Sequence, residues 1–69
     1  SRPLTTAEQR TLHRSIMKDR LLPTNDGILV HLIDKQLEGT ARTDALEHLR
    51  ARHDESSWVL RHIDDALAR

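Results

Sequence analysis

The side chains with the widest chemical range in this sequence are five histidines, His13, His31, His48, His53 and His62. A zinc site needs ligands at i, i+4 on one helix face, with further ligands converging on them. His48 and His53 are five residues apart, which turns them to different faces of a helix. His31 and Asp34 form an i, i+3 pair that nothing nearby completes. The simpler reading places these histidines at the surface or its boundary, and neither a metal nor another cofactor is expected.

Group transfer would need a nucleophile, a base and an orienting acid. Ser15, Ser56 and Ser57 read as hydrophilic helix or cap positions, none in a strained turn. No glycine-rich phosphate loop is present. Asp64 and Asp65 are neighbours on a helix, so they diverge by about 100° and cannot share a proton. A bundle this small also lacks room for a typical ligand pocket of about 300 Å³ or more. No catalytic residue is assigned, and the chain is expected not to be an enzyme.

Binding is the chemistry left. Arg10, Arg14 and Lys18 fall at i, i+4, i+8 and form one basic row. The row is either a solvated helix face or a contact for phosphate or an acidic protein. Residues 43–67 can be laid out as a helix-turn-helix, with Ser56, Ser57 and Arg61 reaching phosphates or base edges. No Gly sits in that turn, and Asp54, Glu55, Asp64 and Asp65 place negative charge where phosphate would lie. Trp58 is the single aromatic residue. It either anchors the last helix to the core, with Arg61 or His62 stacked on it, or is a partly exposed partner anchor.

Size and composition limit the scaffold. Sixty-nine residues suffice for one small domain. With no Cys, Phe or Tyr, the core must be built from Leu, Ile and Val without a disulfide. Such a core supplies only about 3–5 kcal/mol, so a homodimer is expected to add buried area. Eleven basic and eleven acidic residues cancel, which argues against a strong sequence-independent grip on nucleic acid. No apolar run nears the roughly 18 residues of a membrane span, and no signal-peptide pattern appears. No membrane association is expected, and the pattern suits a cytoplasmic protein.

The elements that must position these residues are helices, because the period-two alternation of strands is missing. After a loose lead-in at residues 1–4, Thr5 and Glu8 match a capping box with Leu4 as the staple. The first helix is predicted to reach Leu21, burying Leu12 and Ile16, helped by Met17 and then Leu21. Leu22-Pro23 breaks it. A central apolar helix over about residues 25–38 follows, entered through Pro23 and Thr24-Asn25-Asp26. Ile28, Leu29, Leu32, Ile33 and Leu37 form its stripe and Val30 widens it. Gly39 ends it in the left-handed conformation. Thr40 or Thr43 caps a third helix reaching about His53. Asp54 caps a fourth that buries Val59, Leu60, Ile63, Ala66 and Leu67. The expected fold is all-α, one domain over residues 1–69, a small bundle of four short helices.

The stretch Asn25-Asp26-Gly27-Ile28-Leu29-Val30-His31-Leu32-Ile33, followed by Leu37-Glu38, resembles the N-x-x-I-(I/L)-x-x-L-I … L-E stretch of the YmgB/AriR family. These are small bacterial connector proteins of biofilm formation and acid resistance. The resemblance covers roughly residues 7–53. This chain has one residue more between Ile33 and Leu37, and a fourth helix with Trp58. The resemblance implies a helical homodimer acting on regulatory proteins in signalling, with DNA contact proposed, and it carries over no catalytic residue.

The function expected is therefore that of a small regulatory protein acting through protein–protein binding as a homodimer. Val30, Trp58, Leu60, Arg61 and Leu67 are its candidate partner-binding residues. The alternative is a DNA-binding regulator, using the pair at 43–67 or the Arg10, Arg14, Lys18 face.

Overall fold

Among the described residues the fold has four α-helices: α1 (Thr6–Met17), α2 (Asp26–Gln36), α3 (Gly39–Arg50) and α4 (Trp58–Ala68). The structure is a computed structural model and describes residues 2–22 and 25–69. Pro23 and Thr24, expected to form the turn into the second helix, lie outside the described residues. No strand occurs among the described residues. The radius of gyration is 11.2 Å, against about 11 Å for a compact chain of this length.

Local sequence explains where α1 begins and ends. Thr5 accepts from the backbone N–H of Glu8 at 3.1 Å, and Glu8 accepts from that of Thr5 at 2.9 Å, a complete capping box. The helix stops at Met17, four residues before the predicted end. Asp19 takes φ +54, and the Asp19 and Arg20 N–H groups turn back to the Ile16 and Ser15 carbonyls. That is a Schellman motif with Asp in the place usually held by Gly.

The core gathers Ile16 from α1, Leu29, Val30 and Ile33 from α2, and Leu37 just beyond it. Ala45, Leu46 and Leu49 of α3 and Val59, Ile63 and Ala66 of α4 complete it. α2 is rich in core residues, as its apolar run predicts. The central position expected for the helix at 25–38 is corrected: α3 packs against all three others, while α2 meets chiefly α3 and α4.

Four further expectations are corrected. Ile28, placed in the central stripe, is 72% exposed. Positions 26, 29, 30 and 33 face inward, and Ile28 falls about 200° from both Asp26 and Val30 at 100° per residue. Gly39 is left-handed as expected, at φ +57, but it opens α3 after extended Leu37 and Glu38 rather than ending α2. The third helix ends at Arg50 and is preceded by Glu38, so neither Thr40 nor Thr43 caps it. Thr43 bonds back to the Gly39 carbonyl instead. The fourth helix is capped by Ser57, whose Oγ accepts from the Val59 N–H, and Trp58 is its first residue. Asp54 instead caps a turn, holding the Ser56 N–H at 3.0 Å.

Candidate functional site

Two features meet where the N-termini of α2 and α4 come together. One is a buried ionic cluster and the other an exposed aromatic platform above it.

The cluster is centred on Asp26, the first residue of α2 and the one fully buried charged side chain among the described residues. A carboxylate there also meets the positive end of the α2 dipole. Arg52, just past α3, grips it with a two-pronged fork, Nε to Oδ2 at 2.9 Å and an Nη to Oδ1 at 2.5 Å. His53 Nε2 lies 2.5 Å from Oδ2, and His53 Nδ1 lies 2.9 Å from Ser57 Oγ. Asp19, exposed at the left-handed turn after α1, reaches Arg52 at 3.2 Å and His48 at 2.7 Å. Ends of α1, α3 and α4 are thereby tied to the start of α2.

Burial pushes the Asp26 carboxyl up, but the hydrogen bonds and charges of Arg52 and His53 outweigh it and hold the group below the ordinary carboxylate value. Arg52 is raised, first by its hydrogen bond to Asp26. A buried charge needs such partners, because an unpaired one would cost several kcal/mol.

Ser57, His53 and Asp26 contain the residue types of a nucleophile, base and acid. Their contacts also tie the helix ends together. The Ser57 hydroxyl caps α4, the Asp26 carboxylate is saturated by a guanidinium, and the ring presents Nδ1 to the serine. Both ring nitrogens of His53 are engaged, Nε2 by Asp26 and Nδ1 by Ser57.

The platform lies on the outside. Trp58 is 68% exposed, so the core-anchor reading of this residue is overturned. Its ring lies over Gly27: a Cβ built on Gly27 would sit 2.8 Å from Trp58 Cη2. His62, one turn on, meets the indole edge-to-face at 5.4 Å between centroids. Beside it Ile28, His31, Gly27 and Trp58 line an open hollow of about 470 Å³, against the expectation that the bundle lacks room for about 300 Å³. A bare Ile next to a bare Trp is an apolar patch with the composition of a binding hot spot.

Among the other predicted partner residues, Arg61 is exposed and Leu60 and Leu67 are half-buried, Leu67 against the core. Val30 is corrected: at 5% exposure it is enclosed within the monomer, because it and not Ile28 faces the core. Arg10, Arg14 and Lys18 are all exposed along α1. Sequence reading missed Asp19 and Arg52, weighed His53 only as a metal ligand or a surface histidine, and took Asp26 only for a turn or N-cap residue. An acid with an Arg-His pair 26 and 27 positions later gives no local signal.

Three histidines have polar partners or an aromatic neighbour, His48 and His53 in the cluster and His62 at Trp58. Among the described residues, no three His, Asp or Glu side chains gather as metal ligands, and no helix is long and apolar enough to cross a membrane. No protein-family model, curated protein or solved structure matches this chain.

Proposed function

We propose that this chain is a non-enzymatic regulatory protein that works by protein–protein binding, self-association included, through the Trp58–Ile28 platform. The observation that carries the proposal is the exposure of both side chains, with the Trp58 ring seated on Gly27. Exposing a Trp and an Ile side by side forfeits burial of roughly 1.5–3 kcal/mol for the isoleucine alone. A small core has little reason to forgo that unless another surface covers the patch. The ionic cluster supports this use, since it pins the segment 51–57 and with it the base of Trp58. The YmgB/AriR resemblance points the same way, toward a helical homodimer that acts on regulatory partners.

The patch is a hot spot rather than a whole interface. Trp58 offers on the order of 150 Å², and a stable dimer buries about 800 Å² on each side. The α4 surface that continues it, with Arg61 and Asp65 both exposed, supplies both charges for a two-fold contact. Sedimentation of the wild type and of Ile28→Glu and Trp58→Ala tests the reading. The wild type should self-associate with rising concentration, and both variants should remain monomeric with unchanged helicity. A wild type that stays monomeric at millimolar concentration would overturn self-association. A photo-crosslinker at position 28 that captures no regulatory protein in cells would overturn the partner reading.

The DNA-binding alternative has less support at residues 43–67. Arg52 is committed to Asp26, Arg50 to Asp64 at 2.7 Å, and Ser57 to its cap and His53. Ser56 is held by Asp54 at 2.5 Å, which leaves Arg61 to meet phosphate beside Glu55 and Asp65.

A further inference from the structure

Cations on this molecule divide into two sets. Arg2, Arg42, Arg50, Arg52 and Arg69 each hold a carboxylate within 4.0 Å. Among the described residues, Arg10, Arg14, Lys18, Arg20, Lys35 and Arg61 hold none, and four of these six fall between positions 10 and 20. Two acids next to the row are already engaged, Glu8 by Arg2 and Asp19 by Arg52 and His48, while Glu38 borders the Arg10 end with no ion pair among the described residues. A molecule of zero net charge thus carries an unneutralised stripe along α1, about 12 Å long at 1.5 Å per residue. The stripe is not purely polar. Met17 is 36% exposed, and it joins Arg10, His13, Arg14 and Lys18 around an open hollow of about 290 Å³.

From this pattern we infer that the outer face of α1 docks an acidic amphipathic helix of a protein partner. Carboxylates at i, i+4 on such a helix repeat at the pitch of Arg10, Arg14 and Lys18, and an apolar residue on its adjoining edge meets Met17. Nucleic acid fits the surface less well. Three cations give a weak, steeply salt-dependent grip, Met17 has no counterpart on a phosphate backbone, and Glu38 borders the Arg10 end of the row. The site shares no lining residue with the Trp58 platform. With both surfaces, the protein would be a two-sided connector.

Fluorescence anisotropy can test this with a labelled synthetic helix of about 18 residues, Glu at i, i+4 and Leu on the adjoining edge, at about 20 and 150 mM salt. The full chain should bind it, and more weakly at the higher salt. The triple variant Arg10→Gln, Arg14→Gln, Lys18→Gln should weaken binding by about tenfold or more. Met17→Ala should weaken it by about threefold to fivefold at both salts. Trp58→Ala should leave it unchanged, which separates this site from the platform. Absence of binding at low salt, or a triple variant that keeps its helicity and binds like the wild type, would overturn the proposal. So would a duplex DNA of similar length binding more tightly than the acidic helix.

Discussion

Removing the Asp26 carboxylate is the most demanding perturbation of this fold. In Asp26→Ala the Arg52 guanidinium, whose side chain is only 19% exposed, keeps one partner, the exposed Asp19 at 3.2 Å. His53 loses its acceptor as well. Breaking a buried pair on one side costs about 3–5 kcal/mol, because the surviving charge stays desolvated. The whole chain has only about 3–10 kcal/mol of stability at 0.05–0.15 kcal/mol per residue. Asp26→Ala should therefore bring the protein close to its unfolding midpoint in water. Asp26→Asn should be nearly as damaging, since an amide turns one acceptor into a donor facing Arg52 or His53. The double variant Asp26→Leu, Arg52→Met should recover most of the loss, since both charges go and apolar volume replaces them. Urea unfolding followed by circular dichroism at 222 nm gives the three values. If Asp26→Ala lies within about 1 kcal/mol of the wild type, or the double variant is less stable than the single, the cluster does not hold the bundle together as argued.

Three further outcomes follow from the same geometry. Asp26, Asp34 and Glu8 are held below the usual carboxylate range, Asp34 chiefly by Arg42, and Glu8 down to about 2 by Arg2 and then Thr5. Such groups take up protons less readily when folded. The stability they give should be complete above the unfolded value near 4 and should drain away as pH falls from there toward 2, as acid titration of the helical signal would show. Gly27→Ala should keep or slightly raise stability, by up to about 1 kcal/mol, because Ala favours the helix. It should displace the Trp58 ring and shift its emission, and self-association should weaken. Asp19→Gly should be near neutral in urea unfolding, because relief of the left-handed backbone, about 1 kcal/mol, offsets an exposed ion pair of similar worth. Asp19→Ala loses the pair without the relief and should cost about 1–2 kcal/mol.

The sequence by itself determined the elements whose causes are local. The Thr5–Glu8 box starts α1 because donor and acceptor lie three residues apart on one turn. The spacing of Leu29, Ile33 and Leu37, and of Val59, Ile63 and Ala66, set the inward faces because a helix repeats every 3.6 residues. A four-helix, strand-free bundle follows from such signals. Where several apolar residues competed for one face, sequence did not choose: Ile28 and Val30 are equally greasy, and only the direction of α3 and α4 against α2 decided which went inside. The rest depended on distant partners. Asp26 is a plain turn acid until α3 brings Arg52 and His53 against it across 26 and 27 positions, and Trp58 is a core candidate until the Ser57 cap places it at the helix start, facing water. Charge partnership and exposure are properties of the packed assembly, since a carboxylate's fate is set by whatever cation the other helices deliver.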